Sequence, residues 1–282
     1  MNRATPVILF GASGRMGQEL LALVPQRRDI DLVAALVRPG SRWVGEPVWP
    51  DRAAALTYGS TLEPELPAEV LIDFSNAASF DAALALAVQR EMAFVSGTTG
   101  LSDMQAAELD AAAARIPVLW SANFSIGVAL LRHMAVEAAR VLGDDFDVEI
   151  IDAHHRHKRD APSGTALALG QAVATARGHT LEEVGVFARH GQMAERARGE
   201  IGFATVRGGD IVGDHTILFA GEGERLEFTH RASTRAVFAR GALLAARWMA
   251  GRSAGRYSLD QAIDAALQKS SDVLIAASVL LR

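Results

Sequence analysis

Residues 7–17, VILFGASGRMG, decide the fold of this chain. Val7–Phe10 is a short apolar run that predicts a strand, and it leads directly into Gly11, Gly14 and Gly17 and then into a helical pattern. In this context the glycines predict a dinucleotide-binding turn, in which they allow a tight turn, close approach of a pyrophosphate and close helix packing. A strand–helix turn without a ligand is the alternative, because the spacing GxxGxxG departs from the commoner GxGxxG.

The first half of the chain alternates short apolar runs with helical patterns. Predicted strands are Val7–Phe10, Leu32–Val37, Val70–Phe74, Phe94–Val95 and Val118–Trp120. Predicted helices are Gly14–Val24, Ser79–Arg90 and Ser102–Arg115. This βαβ alternation predicts a parallel sheet in an α/β fold, with an irregular segment between Val37 and Thr61.

The pattern changes after Asn123. The predicted elements are a long amphipathic helix at Ile126–Leu142, a strand at Asp147–Ala153 and helices at Gly164–Ala176, Val237–Met249 and Leu259–Leu267. Residues 199–232 alternate polar with apolar positions between glycines, which predicts antiparallel strands joined by turns. The second half of the chain is therefore predicted to be α+β.

Composition limits the classes of function. The chain has 282 residues, 50% of them hydrophobic, and a net charge of −5, which suits a soluble globular protein. Its apolar runs are far shorter than the roughly 20 residues of a membrane span, and the N-terminus lacks a signal-peptide pattern, so we expect a cytoplasmic protein. The absence of cysteine excludes disulfides, thiolate metal ligands and thiol catalysis. The acidic balance disfavours nucleic-acid binding.

The end of the second predicted strand bears on which dinucleotide binds. An acidic side chain there would hold an unphosphorylated ribose, but the strand ends in Val37 and Arg38, with Arg42 close by. Asp29 and Asp31 precede the strand and should lie at the opposite edge of the sheet. Because a guanidinium pairs with phosphate, the sequence predicts that NADPH is accepted and preferred. Alternatively, Arg38 is an ordinary surface arginine.

The stretch HHRHKRDAPSGTA at 154–166 allows four interpretations. A metal site formed by His154, His155 and His157 is disfavoured by the neighbouring basic side chains, which raise the cost of adding a cation. A nucleic-acid patch would need interleaved aromatic residues, which are absent from this stretch. A solvated loop remains open.

An active site for an anion explains more of this stretch. The predicted strand ends where the histidines begin, and Ser163 can cap a helix whose N-terminus favours negative charge. Thr165 and Lys158 add donors for one or two carboxylates, while a histidine can transfer a proton near neutral pH. A hydride donor in one half of the chain and an anion site with an acid in the other are typical of a reductase.

These residues resemble the 4-hydroxy-tetrahydrodipicolinate reductases, long called dihydrodipicolinate reductases, of bacterial lysine and diaminopimelate synthesis. The matching motifs are GASGRMG at 11–17, IDFS at 72–75, SGTTG at 96–100, SANFSIG at 121–127, HHRHKRDAPSGTA at 154–166 and GFATVRGGDIVGDHT at 202–216. The resemblance spans nearly the whole chain. It implies NADPH- or NADH-dependent reduction of 4-hydroxy-tetrahydrodipicolinate to tetrahydrodipicolinate with loss of water.

The resemblance also implies roles for individual residues. His154 would be the proton donor or acceptor and Lys158 the second catalytic group, while His155, Gly164 and Thr165 would contact the substrate carboxylates. The cofactor residues would be Gly11, Ala12, Ser13, Gly14, Arg15 and Met16 at the pyrophosphate, and Gly97, Thr98, Thr99, Ser121, Ala122, Asn123 and Phe124 on the nicotinamide side. Members of the family often carry Glu where this chain has Val37, which agrees with the expectation from Arg38 that NADPH is preferred.

The implied fold is a Rossmann-like dinucleotide-binding domain, 1–123 plus 236–282, with an inserted α+β substrate-binding and tetramerisation domain, 124–235. Aliphatic residues such as Ile211, Ile217 and Phe219 would need covering, and contact within a homotetramer is one way to cover them. We expect a small dicarboxylate substrate and no metal, nucleic acid or membrane partner. Two other functions stay open: another cysteine-independent nicotinamide oxidoreductase, and a dinucleotide-sensing or nucleic-acid-binding regulator that uses the basic run without catalysis.

Overall fold

The computed structural model describes residues 3–51 and 56–266. The chain divides into two compact units, one made of Met1–Ser125 with Ala236–Arg282 and the other of Ile126–Arg235. In sequence, the second unit is therefore an insertion into the first.

The first unit contains a seven-stranded sheet in which every pair of neighbours is parallel. Its strands are β1 (Thr5–Phe10), β2 (Ile30–Leu36), β3 (Tyr58–Gly59), β4 (Val70–Asp73), β5 (Ala93–Ser96), β6 (Pro117–Trp120) and β12 (Gly255–Tyr257). The order across the sheet is β12-β6-β5-β4-β1-β2-β3. All five predicted strands are confirmed, and the two short edge strands β3 and β12 were missed.

Helices cover both faces of this sheet. They are α1 (Arg15–Leu23), α2 (Ala77–Gln89), α3 (Asp103–Ala113) and α7 (Ala236–Met249), with a 3₁₀ turn at Val24–Gln26 and helical residues at 259–266. Leu267, the predicted end of the last helix, lies outside the described residues. On one face, Phe80 of α2 and Leu109 of α3 join a core with Leu71 and Phe94. The strand residues that alternate with these are also buried, and α7 packs against β4, β5 and β6.

Strand β1 lies between β2 and β4, so the direction in which the chain adds strands reverses there. In open parallel sheets, ligands bind beyond the carboxyl ends of the strands at this position. The predicted glycine turn begins at Gly11, immediately after β1. The fold therefore places it where a dinucleotide is expected.

The second unit contains a five-stranded mixed sheet with helices on one face. Its elements are α4 (Ile126–Leu142), β7 (Asp147–His154), α5 (Gly164–Ala176), α6 (Leu181–Val184), β8 (Gly185–Val186), β9 (Ile201–Arg207), β10 (Gly213–Ala220) and β11 (Arg225–Ala232), with a 3₁₀ turn at Gly143–Asp145. The order is β11-β10-β7-β9-β8. This mixture of helices and strands confirms the predicted α+β character.

The prediction that all strands in residues 199–232 are antiparallel is wrong for β9. Strands β10 and β11 form an antiparallel pair, and β10 is antiparallel to β7, but β9 runs parallel to β7. The alternating pattern indicates a strand but carries no information about its direction. The direction follows from the long connection through α5, since parallel neighbours need a crossover.

Alternate residues of β7 and β10 form the core of the second unit. Ile150, Ile217 and Phe219 are fully buried in one cluster with Leu131 of α4 and Leu169 of α5. The expectation that Ile217 and Phe219 need covering by another subunit is therefore wrong, because helices of their own unit cover them. No helix within the described ranges is both long enough and apolar enough to cross a bilayer.

Helix α7 approaches the chain before the insertion so closely that only glycine fits at one position. A Cβ atom at Gly241 would overlap the carbonyl oxygen of Phe124, which is backbone and cannot rotate away. We predict that Gly241→Ala lowers the free energy of unfolding by about 1–3 kcal/mol through overpacking. This loss outweighs the gain in helix propensity of up to about 1 kcal/mol.

Urea denaturation measures this effect. Gly208→Ala is the matched control, because a Cβ atom at Gly208 meets no atom within 4 Å. Equal stability of Gly241→Ala and the unchanged protein would contradict the prediction.

Candidate functional site

At two positions of the glycine turn after β1, there is no room for a side chain. Gly11 has φ of +81°, and a Cβ atom there would lie 2.8 Å from the carbonyl oxygen of Phe74. A Cβ atom at Gly17 would overlap the carbonyl oxygen of Ala12. The amides of Gly11 and Ala12 donate to the carbonyl oxygen of Leu36, at 3.1 and 3.0 Å, which ties the turn to the end of β2.

The start of α1 is suited to an anion. Gly14 is its N-cap, and no side chain caps the helix or places an acidic group in its first turn. The first amides of a helix have no intrahelical partner, so here they can donate to a bound phosphate. Of the other predicted residues, Ala12 is buried, Arg15 is exposed, and Ser13 and Met16 are half-buried.

The remaining predicted cofactor residues follow neighbouring strands. Gly97, Thr98 and Thr99 follow β5, and Ser121, Ala122, Asn123 and Phe124 follow β6. Because β1, β4, β5 and β6 are parallel and adjacent, all these residues lie at the same edge of the sheet as the glycine turn. Thr98 and Phe124 are buried, whereas Thr99 and Ala122 are exposed.

Asp73 holds two of these strand ends together, and sequence reasoning missed it. The carboxylate is fully buried at the end of β4. Its Oδ1 accepts from the amide and hydroxyl of Ser75 at 3.0 and 2.6 Å, and its Oδ2 accepts from the hydroxyls of Ser96 and Thr98 at 2.7 and 2.8 Å. The signal was present, since an acidic residue ends an otherwise apolar strand in the IDFS motif.

Arg38 lies just beyond the end of β2, as the sequence predicts. Val37 is buried and Arg38 is exposed, two positions beyond the carbonyl of Leu36 that binds the glycine turn. Asp29 lies at the opposite edge, where its carbonyl accepts from Thr5 at the start of β1. The predicted location of Asp29 is therefore confirmed.

Asp31 and Arg42 are the two other charged residues considered near β2. Asp31 pairs with Pro6, so it also lies near the amino end of the strands, as predicted. The Arg42 guanidinium lies 5.5 Å from the centre of the Trp43 ring.

In the second unit, β7 ends at His154, the first histidine of the HHRHK run. His154 is buried, and its carbonyl accepts from the amide of Gly208 at 2.9 Å. The chain then turns, with the amide of Lys158 donating to the carbonyl of His155 at 3.1 Å. The side chain of His155 is half-buried, and its ring centre lies 6.2 Å from that of His157.

Asp152 organises this region and was not predicted. It precedes His154 by two residues on β7, so both side chains lie on the buried face of the sheet. Its Oδ2 accepts from the amide of Ser163 at 2.8 Å and from Nη2 of Arg207 at 3.0 Å. Its Oδ1 lies 2.8 Å from Nδ1 of His154 and 3.5 Å from Nε2 of His215. The N–H of the His154 ring is not aligned with Oδ1, so the short distance is not a hydrogen bond.

His215 completes the cluster from β10. Its Nε2 lies 3.2 Å from the hydroxyl of Ser163, and its ring centre lies 5.2 Å from that of His154, nearly edge to face. His215 alternates with Ile217 and Phe219 on the buried face of β10. This alternation was the signal that could have identified it.

Lys158 is held by Asp160, another partner that the sequence did not reveal. Its Nζ lies 2.8 Å from Oδ2 of Asp160, and this hydrogen bond lowers the pKa of the Asp160 carboxyl. Nη2 of Arg207 also donates to the carbonyl of Asp160 at 2.6 Å. Arg207 therefore links the loop that carries Lys158 to Asp152 on β7.

The start of α5 lies where the sequence predicts an anion site. Ser163 is the N-cap, and its hydroxyl accepts from the amide of Ala166 at 3.2 Å, as predicted. Gly164 is exposed, and a Cβ atom there would meet no atom within 4 Å. Thr165 is half-buried. This arrangement can bind a carboxylate.

Burial and local charges set the protonation of the cluster. Burial lowers the pKa of His154, and Lys158 and Arg207 lower it further against the opposing effect of Asp152. Burial also lowers the pKa of His215, to about 4. Burial opposes ionisation of Asp152, but hydrogen bonds from Ser163 and Arg207 outweigh it and lower the pKa of this carboxyl. The free cluster at neutral pH is therefore a carboxylate between two neutral imidazoles.

Asp152, His154 and His215 offer three possible metal ligands whose atoms lie within 4.8 Å of one another. This group differs from the metal site considered from the sequence, which would use His154, His155 and His157. Arg207 and Lys158 supply positive charge beside it, which raises the cost of adding a cation.

Comparisons with known proteins agree over most of the chain. Family models described as "Dihydrodipicolinate reductase, N-terminus" and "Dihydrodipicolinate reductase, C-terminus" match residues 5–124 and 127–263. The 4-hydroxy-tetrahydrodipicolinate reductase of Alkalilimnicola ehrlichii is 49% identical over 92% of this chain and 98% of that protein. The enzyme of the same name from Thiobacillus denitrificans is 50% identical over 90% of this chain and 96% of that protein.

A solved structure is also similar. Dipicolinate-bound dihydrodipicolinate reductase from Paenisporosarcina sp. TG-14 aligns with 92% of this chain and 99% of its own, with 26% identity and a TM-score of 0.73. This similarity confirms the predicted combination of a Rossmann-like sheet with a second sheet.

His215 gives the stability of the protein a defined dependence on pH. The unfolded chain binds a proton at this side chain near pH 6.5, but the folded protein does so only near pH 4. The free energy of unfolding is therefore not reduced by His215 above pH 6.5. As pH falls from 6.5 toward 4, the unfolded chain takes up the proton first, and the free energy of unfolding decreases by up to about 3 kcal/mol. We predict that His215→Gln reduces the loss of unfolding free energy over this range.

Urea unfolding at several pH values measures this slope. His133→Gln, which changes an exposed histidine of α4, is the control. A slope in His215→Gln as steep as in the unchanged protein would contradict the assignment.

Proposed function

The chain belongs to the dihydrodipicolinate reductase family, and from this premise we propose that it reduces 4-hydroxy-tetrahydrodipicolinate to tetrahydrodipicolinate with loss of water, using NADPH or NADH. One observation carries the proposal. The family's histidine motif is folded here into a single cluster, with His154, Lys158 and the start of α5 held by Asp152, Asp160 and Ser163. The reaction places the protein in lysine and diaminopimelate biosynthesis.

The glycine turn fits a dinucleotide. Side chains at Gly11 and Gly17 would collide with backbone, and the uncapped start of α1 leaves amide donors for a pyrophosphate. The reduced nicotinamide, when bound, supplies the hydride. Residues after β5 and β6 would lie on its side of the site, with Asp73 fixing the start of the first of these two loops.

The substrate is a ring with two carboxylates, and the second unit supplies matching groups. Gly164 and Thr165 at the start of α5 would bind one carboxylate through amide donors and a hydroxyl. His155 and Lys158 supply further donors. The related Paenisporosarcina enzyme binds dipicolinate, a flat ring with two carboxylates, which supports this class of ligand.

His154 would supply the proton that accompanies the hydride. In the free protein, burial, Lys158 and Arg207 favour the neutral ring by lowering its pKa. Two substrate carboxylates beside the ring would raise that pKa, because nearby negative charge favours the charged form. Binding of the substrate would therefore charge His154 at the time when the proton is needed.

We propose that the chain assembles as a homotetramer in the cytoplasm, as the resemblance implies. Outward-facing residues of the second sheet, including Ile151 on β7 and Val206 on β9, are 37% and 47% exposed. They are better candidates for subunit contact than Ile217 and Phe219, which are buried within the unit.

Lys158→Ala tests the reaction. We predict a fall in kcat of about 10²–10⁴-fold, because the substrate loses a donor that acts near the reacting ring, with little change in dinucleotide affinity. Oxidation of NADPH and NADH is followed after supplying pyruvate, aspartate semialdehyde and the upstream synthase. Arg159→Ala removes an exposed charge from the same loop and is the control. Unchanged turnover in Lys158→Ala would show that the role of this ammonium is wrongly assigned.

Arg38→Ala tests the choice of cofactor. If the exposed guanidinium binds a 2′-phosphate, its loss removes a charge-assisted hydrogen bond that NADH does not make. We predict that KM rises about ten- to hundredfold for NADPH and stays nearly constant for NADH. Arg28→Ala, exposed near the opposite edge of the sheet, is the control. A parallel rise for both cofactors would refute the assignment.

A further inference from the structure

Asp152 has two carboxylate oxygens in different surroundings. Oδ2 accepts two hydrogen bonds, from the amide of Ser163 and from Arg207. Oδ1 is buried and accepts no aligned hydrogen bond, yet Nδ1 of His154 lies 2.8 Å from it and Nε2 of His215 lies 3.5 Å from it. A buried carboxylate oxygen without an aligned donor is costly, so its presence calls for a function.

We propose that Asp152 is the positioning residue of His154: Arg207 and Ser163 fix one oxygen, so that the other faces Nδ1 of His154 and accepts its N–H when the ring is charged. A rotation of the ring aligns that N–H with Oδ1. Nε2 is then the nitrogen that carries the exchangeable proton toward the substrate. This proposal rests on the proposed role of His154 in the reaction.

Two imidazoles face the same oxygen, and the surroundings decide which of them takes the proton. The side chain of His215 is only 4% exposed, and that of His154 is 10% exposed. Burial lowers the pKa of His215 to about 4, and His230 on β11 disfavours its charged form further. His154 is closer to Oδ1 and less deeply buried. The negative charge of Asp152 therefore favours a proton on His154.

Several charges act on His154 from the elements packed around it. Lys158 of the following loop and Arg207 of β9 disfavour the imidazolium. Asp152 of β7 and Asp160 of the loop favour it, with Asp152 contributing more. His215 of β10 faces the same ring at 5.2 Å. Without Asp152, burial and the positive neighbours would lower the pKa of His154 further, against the smaller opposing effect of Asp160.

The first test needs no substitution. Nitrogen chemical shifts of the His154 ring, measured by NMR in the unchanged protein above its pKa, report which nitrogen retains hydrogen. The proposal expects hydrogen on Nδ1, facing Asp152. A neutral ring with hydrogen on Nε2 would overturn it. This measurement needs no substrate, so its outcome is independent of whether the proposed reaction is correct.

The second test removes the charge of Asp152. In Asp152→Asn we expect the NMR titration midpoint of His154 to fall by about 1–3 pH units, and the pH at which kcat declines to fall with it. Asp152→Glu keeps the charge and should restore both values toward those of the unchanged protein. The KM for the dinucleotide should not change, because Asp152 has no part in the glycine turn.

The matched control is Glu149→Gln. Glu149 lies on β7 with Asp152 but is bound to Arg189 and Arg196 rather than to the cluster. The proposal is overturned if Asp152→Asn leaves the midpoint unchanged, or if Glu149→Gln moves it equally. If the unchanged enzyme does not reduce the proposed substrate, the proposed function fails, and the NMR midpoints still decide the role of Asp152. If Asp152→Asn does not fold, the hydrogen position in the unchanged protein decides it.

Discussion

The buried carboxylate of Asp152 is the constraint on which the candidate site in the second unit depends. Burying a charge is costly unless it is paired and hydrogen-bonded, and here Arg207 and the amide of Ser163 meet that requirement at one oxygen, Oδ2. These partners come from β9 and from the start of α5, so one carboxylate links three elements. Because Arg207 also holds the carbonyl of Asp160, the loop carrying Lys158 is fixed by the same interaction. The position of the predicted catalytic groups therefore follows from satisfying one buried charge.

The first unit meets a different requirement, which is to bring backbone amides close to an anion. Parallel strands that end at one edge place the glycine turn and the later loops together, and Asp73 ties two of these ends with four accepted hydrogen bonds. In the proposed cofactor site, the charge of the ligand would be met by amides and helix geometry rather than by a buried ion pair. Both units thus offer a helix N-terminus to an anion, one uncapped at Gly14 and one capped by Ser163.

Much of the fold could be predicted because its signals are local. The helices at Ile126–Leu142 and Gly164–Ala176 match their predicted bounds, since their apolar spacing and, for the second, its serine cap lie within the segment. Strand direction could not be predicted in the same way. It depends on which neighbour β9 finds after a long crossover, and β9 pairs with β7 rather than with the next strand in sequence.

The candidate site was also predictable only where its signals are local. His154 and Lys158 stand in an unusual motif, but Asp152, Arg207 and His215 lie in ordinary strands, and Asp152 and Arg207 are 55 residues apart in sequence. Their relation exists only after the sheet forms. Ile217 and Phe219 show the opposite error, because their apolar character suggested a subunit contact whereas α4 and α5 already cover them. A sequence identifies residues with unusual neighbours in the chain more readily than residues with unusual neighbours in space.

The insertion of Ile126–Arg235 into the first unit also affects how the protein is made. Helix α7 packs against β4, β5 and β6, but it is translated only after the whole insertion. At about 5–20 residues per second, this takes on the order of ten seconds. During that time the nascent first sheet has one incompletely covered face. The inserted unit is therefore complete in sequence before the first unit is, and the sheet of the first unit gains its last covering helix only when α7 arrives.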